Sequence, residues 1–157
     1  PKSLLRHKLA VSSLDELANG EFQHLIPDAT ADAKKVKRVV LCSGKVYYDL
    51  LEDQHKRGQD NVAILRVEQL YPFPRELLAA ELKRFPKATE VVWCQEEPKN
   101  QGAWSFIEPE LEIILTQIGA KHTRATYAGR VASASPATGL ASRHKYEQLN
   151  LVNAALD

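Results

Sequence analysis

Ser43, Gly44 and Lys45 are the first residues of the chain whose types and spacing could bind a charged ligand. They follow an apolar run that ends at Cys42 and precede a helical pattern. A strand-to-helix turn of this kind presents free backbone N–H groups and the positive end of a helix dipole, which suit an anion. Lys45 would add a mobile charge. Neither a Gly-x-Gly-x-x-Gly nor a Walker pattern is present, so a plain strand-to-helix turn is the alternative.

A second polar group follows a later apolar run, at residues 95–104. Two adjacent carboxylates can shift each other's pKa for acid–base chemistry. Neighbouring strand residues point to opposite faces, however, and the pair need not share a site. Tryptophan is enriched at the centres of protein interfaces. Helix capping and interface hydrogen bonds are therefore the alternative, and we predict an interface loop that contains Glu96, Glu97, Asn100, Gln101 and Trp104.

The remaining candidates give weaker signals. The segment 71–74, Tyr-Pro-Phe-Pro, would form a wall of the same sheet edge or a rigid packed loop. Arginine binds carboxylate or phosphate well, but exposed surface arginines are commoner; the candidates are Arg124, Arg130 and Arg143. The five histidines show no metal-ligand spacing, and the two cysteines look buried. We predict no catalytic residue and no metal site in this chain.

Four apolar runs and four helical patterns position these candidates. The runs are rich in Val and Ile, as buried strands are, and the helical patterns alternate with them along the chain. Gly58 and Gly119 mark helix ends, and Pro109 predicts a break or a late start in the third helix. The predicted strands are 36–42, 62–67, 90–94 and 123–127, and the predicted helices are 45–57, 75–85, 104–118 and 142–156.

This alternation predicts an α/β fold, a three-layer sandwich with a mostly parallel central sheet and helices on both faces. The domain is predicted to occupy residues 36–157. Residues 1–35 fit the pattern poorly, with Asn19-Gly20 and Pro27 among scattered polar residues. They are predicted to be an incoming linker or an arm that packs on a neighbour.

The amino-acid composition argues against two classes of partner, nucleic acid and membrane. The 157 residues are 44% hydrophobic and 26% charged, as in an ordinary globular domain, and the formal net charge is only +1. A net charge this small creates no electrostatic field that would attract nucleic acid. No stretch approaches the ~20 apolar residues that span a bilayer. We expect neither a nucleic-acid nor a membrane partner, and a cytosolic or matrix-like location. A start at Pro1 and the lack of methionine suggest an excised fragment.

Four segments together resemble the C-terminal region of bacterial 2-oxoglutarate dehydrogenases, in their thiamine-diphosphate-dependent decarboxylating component. They are VVLCSGKVYYDLL at 39–51, RVEQLYPFP at 66–74, VVWCQEEPKNQGAW at 91–104 and the tail from 128 to 156. The opening segment PKSLLRHKLAVSSLDEL also fits the stretch that leads into that domain. Residues 28–35 and 106–118 match no family motif.

The resemblance implies the third, transketolase-like domain of a homodimeric enzyme of the tricarboxylic acid cycle in the bacterial cytoplasm. That enzyme uses thiamine diphosphate and magnesium to decarboxylate 2-oxoglutarate, and it passes the succinyl group to a lipoyl group. Its partners are dihydrolipoyl succinyltransferase and dihydrolipoyl dehydrogenase. The active site would lie in the preceding domains of the same polypeptide, and this chain alone would be inactive and bind neither cofactor.

The resemblance also implies a role for this domain in dimer assembly and in regulation. Some actinobacterial relatives bind acetyl-coenzyme A as an activator on this domain, which would suit an anion site at Ser43, Gly44 and Lys45. An alternative from another class is a stand-alone nucleotide- or acyl-coenzyme-A-binding α/β module, with its ligand across the carboxyl ends of the strands.

Overall fold

The computed structural model describes residues 1–157, which form one five-stranded sheet and five α-helices. The strands are β1 (Leu25–Ile26), β2 (Arg38–Cys42), β3 (Val62–Val67), β4 (Glu90–Pro98) and β5 (Thr126–Arg130). The helices are α1 (Leu14–Asn19), α2 (Val46–Arg57), α3 (Arg75–Lys83), α4 (Trp104–Gln117) and α5 (Ala141–Leu156), preceded by a 3-10 turn at Lys2–Leu4. None of the helices combines the length and the hydropathy that crossing a membrane requires.

The strand order is β1-β3-β2-β4-β5, and the four long strands run parallel. Val40 of β2 pairs with Ile64 of β3 on one side and with Val92 of β4 on the other. Strand β2 therefore lies at the centre of the sheet. The predicted mostly parallel sheet is confirmed, and its apolar runs have the composition of strands buried on both faces.

Side chains of the central strands alternate between two cores. Val39 and Leu41 belong to the core under α3 and α4, whereas Val40 and Cys42 belong to the core under α2 and α5. This alternation follows from the two-residue period of a strand. The predicted three-layer arrangement, with helices on both faces of the sheet, is confirmed.

Helix α2 shows how the sequence sets an element and its end. Val46, Leu50 and Gln54 recur every four residues and are buried against the sheet. Gly58 ends the helix with a left-handed backbone at φ 61°, and its N–H donates to the carbonyl of His55. Glycine adopts this conformation without steric cost, so the predicted helix end is confirmed.

The prediction of a break at Pro109 is wrong, because α4 runs unbroken from Trp104 to Gln117. Proline removes one helical N–H donor, which costs a hydrogen bond to the preceding turn. The buried stripe of Ile107, Leu111, Ile114 and Leu115 spans both sides of the proline and offsets that loss. Packing against the sheet therefore decides the course of this helix.

The fourth predicted strand is misplaced by three residues, since the structure has it at Thr126–Arg130 rather than at 123–127. Its position is set by pairing with β4, in which Val92 aligns with Thr126 and Cys94 with Ala128. A register of this kind depends on the partner strand and is weakly marked in the local sequence.

Residues 1–35 contain three elements that the sequence does not suggest, the 3-10 turn, α1 and β1, and only β1 joins the sheet. Leu25 and Ile26 form β1, which pairs antiparallel with β3 at the edge of the sheet. Leu25 is buried in the core under α3 and α4, and Ala31 and Ala33 pack against it. The arm role predicted for 1–35 stays a prediction; the structure attaches residues 25–35 to the sheet and leaves residues 1–24 without a buried residue.

Candidate functional site

The two predicted polar groups meet at the carboxyl edge of the sheet. A cleft there is lined by Ser43, Gly44 and Lys45 from the turn after β2 and by Glu96, Glu97 and Gln101 from the end of β4 and its loop. The cleft lies between β2 and β4, where successive crossovers turn to opposite sides of the sheet. In open α/β sheets ligands bind at such a point, so this edge is the candidate site.

Lys45 is paired with two carboxylates inside the cleft. Its ammonium lies 2.8 Å from Glu96 Oε1 and 3.0 Å from Asp49 Oδ2. Burial alone would lower the pKa of Lys45, but the hydrogen bonds and charges of Glu96 and Asp49 outweigh burial and raise it. The lysine thus stays charged and is neutralised by its own domain.

Gly44 also has an internal anionic partner. Its backbone N–H donates to Glu68 Oε1 at 3.2 Å, and the same oxygen accepts from Arg66 Nε at 2.9 Å. The glycine has a φ of 69°, which suits a residue without a side chain at this turn. A carboxylate of the protein therefore occupies the position proposed for a bound anion. The anion site at Ser43–Lys45 stays a prediction, and a ligand there would have to displace Glu68.

Gln95 organises the second polar group, residues 95–104, although it was not among the residues predicted from the sequence. Its side chain is only 4% exposed. Gln95 Oε1 accepts hydrogen bonds from Trp93 Nε1 at 2.9 Å and from the backbone N–H of Trp104 at 3.1 Å. Its Nε2 donates to the carbonyls of Glu97 and Pro98 at 3.1 and 3.3 Å. An uncharged amide directly before two glutamates gives no sequence signal, because its role depends on partners that only the fold supplies.

The two adjacent glutamates face different surroundings. Glu96 is half-buried and accepts from Lys45 and from Gln148 Nε2, the latter at 2.9 Å. Glu97 is exposed, and its carbonyl accepts from the Tyr127 hydroxyl at 3.3 Å. Both residues line the cleft, but only the Glu96 carboxylate is bound by Lys45 and Gln148, and no hydrogen bond links the two carboxyl groups.

Asn100 and Gln101 hold a neighbouring loop. Asn100 exchanges two hydrogen bonds with the backbone of Ser133, at 3.1 and 3.0 Å, and Gln101 Nε2 donates to the Ser133 carbonyl at 2.6 Å. Trp104 is 6% exposed and packs on Tyr127, with ring centroids 5.3 Å apart. An interface role for this loop stays a prediction, and these three side chains already serve the packing of their own domain.

Two of the three predicted arginines come together. Arg130 and Arg143 both contact the carboxylate of Glu147, at 3.1 and 2.8 Å, beside the loop 131–140. Arg130 also donates to the backbone carbonyl of Glu96. Arg124 is exposed on another part of the surface. The arginines near the site thus connect β5 to α5 and to the end of β4.

The cysteines and acidic side chains form no further centre. Cys42 and Cys94 are buried free thiols, and burial raises the pKa of Cys94 to about 12. A thiol in this state is a poor nucleophile. No three His, Cys, Asp or Glu side chains lie close enough together to hold a metal ion.

Comparison with known proteins gives likenesses of three kinds, to a family, to individual relatives and to a solved structure. Residues 11–156 match the family described as "2-oxoglutarate dehydrogenase C-terminal". The "2-oxoglutarate dehydrogenase E1 component" of Brucella anthropi is 60% identical over 155 residues, covering 92% of this chain and 15% of that protein. The protein of the same name from Brucella ovis is 59% identical with the same coverage, so this chain spans about 15% of the length of these relatives.

The structural likeness concerns the fold. A solved structure titled "Split gene transketolase, inactive beta4 tetramer" superposes with a TM-score of 0.51 at 17% identity, covering 78% of this chain and 39% of that one. The transketolase-like architecture expected from the sequence is therefore confirmed, and at this identity the likeness carries no further conclusion.

Gly102→Ala is expected to destabilise the domain by about 1–3 kcal/mol, because the added Cβ would collide with the Gln95 amide, which is fixed by four hydrogen bonds. Urea unfolding of the 157-residue chain measures the effect. Gly139→Ala is the matched control, since its Cβ would meet no atom within 4 Å. Equal unfolding midpoints for the two variants would contradict the proposed role of Gln95.

The carboxyl pKa of Glu147 is held below its ordinary 4.5 by the Thr138 hydroxyl and then by Arg143. A lowered folded-state pKa stabilises the fold above the unfolded-state pKa, and this contribution disappears as the pH falls through the folded-state value. Thr138→Val is expected to raise the Glu147 pKa in an NMR titration. Thr116→Val on α4 should leave it unchanged, and an unchanged pKa in Thr138→Val would show that the hydroxyl is not the main cause.

Proposed function

The chain belongs to the 2-oxoglutarate dehydrogenase C-terminal family, and we propose that it is the C-terminal domain of an enzyme that oxidatively decarboxylates 2-oxoglutarate with thiamine diphosphate and magnesium. The observation that carries the proposal is the 60% identity over 155 residues to a protein named as the E1 component of this dehydrogenase. The enzyme would act in the tricarboxylic acid cycle of the bacterial cytoplasm and transfer the succinyl group to a lipoyl group of its partner component.

The carboxyl edge of this sheet does not fit the cofactor itself. Magnesium bound to a diphosphate needs oxygen ligands that are free to coordinate it. At this edge Asp49 and Glu96 bind the ammonium of Lys45, and Glu68 binds the Gly44 N–H and Arg66. Glu97 is exposed, and no group of three possible metal ligands includes it. We therefore assign thiamine diphosphate and magnesium to the remainder of the polypeptide, and no step of the reaction to residues of this chain.

The domain instead supplies a rigid unit for assembly. Lys45, Glu96 and Arg130 are engaged with one another or with nearby backbone, so their charges fix the loops that follow β2, β4 and β5. Exposed apolar residues on the outer side of α3 and α4, Leu77, Phe106 and Ile113, suit contact with a second subunit. We propose a homodimer that works with dihydrolipoyl succinyltransferase and dihydrolipoyl dehydrogenase.

A turnover assay tests this function. The full polypeptide that carries this chain is expected to reduce an artificial electron acceptor when supplied with 2-oxoglutarate, thiamine diphosphate and Mg²⁺. Omission of either cofactor should abolish turnover, and pyruvate in place of 2-oxoglutarate is the substrate control. The 157-residue chain alone is expected to give no turnover, because Asp49 and Glu96 at its edge bind Lys45 and no group of its side chains could hold the magnesium ion. Turnover by the chain alone, or none by the full polypeptide, would overturn the proposal.

A further inference from the structure

Residues 1–24 expose more large apolar side chains than any other segment of their length. Six of the fourteen exposed large hydrophobic residues of the chain lie here, and no residue of the segment is buried. They are Leu5, Leu9, Val11, Leu14, Leu17 and Phe22. Single exposed apolar residues are ordinary, but a concentration of this kind marks a contact surface.

Helix α1 is locally organised yet has nothing to pack on. Ser13 and Glu16 form a capping box, and Asn19 donates to Asp15 at 2.7 Å. Leu14 and Leu17, three residues apart on one side of the helix, are 86% and 73% exposed. A helix of six residues is unstable in water by itself. Packing of Leu14 and Leu17 against a further surface would therefore stabilise it.

The segment contacts the domain at its end, where the His24 carbonyl accepts from the backbone N–H groups of Glu68 and Gln69, and near its start through the imidazole of His7. The imidazole lies 3.3 Å from Glu52 Oε1 and 5.2 Å, between ring centroids, from Tyr48. The hydrogen bonds of residues 8–23 all remain within the segment. Helix α2 thus holds the start of residues 1–24 in place. The apolar side chains of residues 1–24 face away from the two cores.

The extent of this surface indicates which kind of partner covers it. The six side chains are 42–86% exposed and together expose roughly 250–500 Å² of apolar area, at about 60–120 Å² for each fully exposed large side chain. A stable complex of separate molecules buries about 800 Å² on each partner. A smaller contact suffices when the partner is part of the same polypeptide, because the linkage keeps its effective concentration in the millimolar range.

We infer that residues 1–24 are the docking surface for an adjacent domain of the same polypeptide, an inference that rests on the proposed function. The charges of the segment define the chemistry of that partner. Residues 1–8 contain Lys2, Arg6 and Lys8 and no acidic residue, whereas α1 begins with Asp15 and Glu16. The partner surface has an apolar centre, an acidic rim opposite residues 1–8 and a basic rim opposite the start of α1.

Hydrogen–deuterium exchange of the α1 amides tests the inference. The amides are expected to exchange at least about 10-fold more slowly in the full polypeptide than in the 157-residue chain, because docking suppresses local opening. The double variant Leu14→Asp/Leu17→Asp of the full polypeptide should lose this protection. Val131→Asp/Leu140→Asp changes two similarly exposed apolar residues, at 77% and 68%, and should retain it.

Equal exchange in the chain and the full polypeptide would overturn the inference, as would protection that survives the Leu14→Asp/Leu17→Asp change. Protection that appears in the chain alone and rises with its concentration would assign the surface to a second copy, which also overturns it. Turnover of 2-oxoglutarate by the same full polypeptide separates the two proposals. An active polypeptide with unprotected α1 amides refutes only the docking surface, whereas an inactive one refutes the proposed function.

Discussion

The buried amide of Gln95 joins the end of β4 to the first residue of α4, across the loop 99–103. Each buried donor or acceptor left without a partner costs about 1–3 kcal/mol, so the four bonds fix the loop far more firmly than its polar composition suggests. Gly102 is required beside this amide because a side chain there would occupy the same space. The rigid loop in turn presents Asn100 and Gln101 to the backbone of Ser133.

The charges at the same edge are arranged to satisfy one another. Lys45 lies between Asp49 and Glu96, Gln148 bridges the same two carboxylates, and Arg130 connects Glu147 to the Glu96 carbonyl. A reactive centre keeps polar groups free for its substrate, whereas these groups stabilise the loops that end the strands. The geometry therefore agrees with a structural domain within a larger enzyme, as the likeness to a much longer protein indicates.

The sequence predicts the parts of the fold that local chemistry controls. Apolar runs that alternate with helical patterns identify the parallel sheet, and Gly58 identifies a helix end. The errors arise where tertiary contact decides: pairing with β4 sets β5, and core packing carries α4 through Pro109. The two residues of β1 are too short a pattern to detect. At the site, the sequence brings Ser43–Lys45 and Glu96–Trp104 to one edge, but it reveals neither the Gln95 network nor the Glu68 carboxylate at Gly44.

We propose that this 17.6 kDa chain is one domain of a much larger polypeptide. An antibody raised against the chain and used to blot a lysate of the source cells tests it most directly. A band several times larger than 17.6 kDa is the expected result, because the relatives are covered over only about 15% of their length. A single band near 17.6 kDa would contradict the claim and favour a stand-alone binding module.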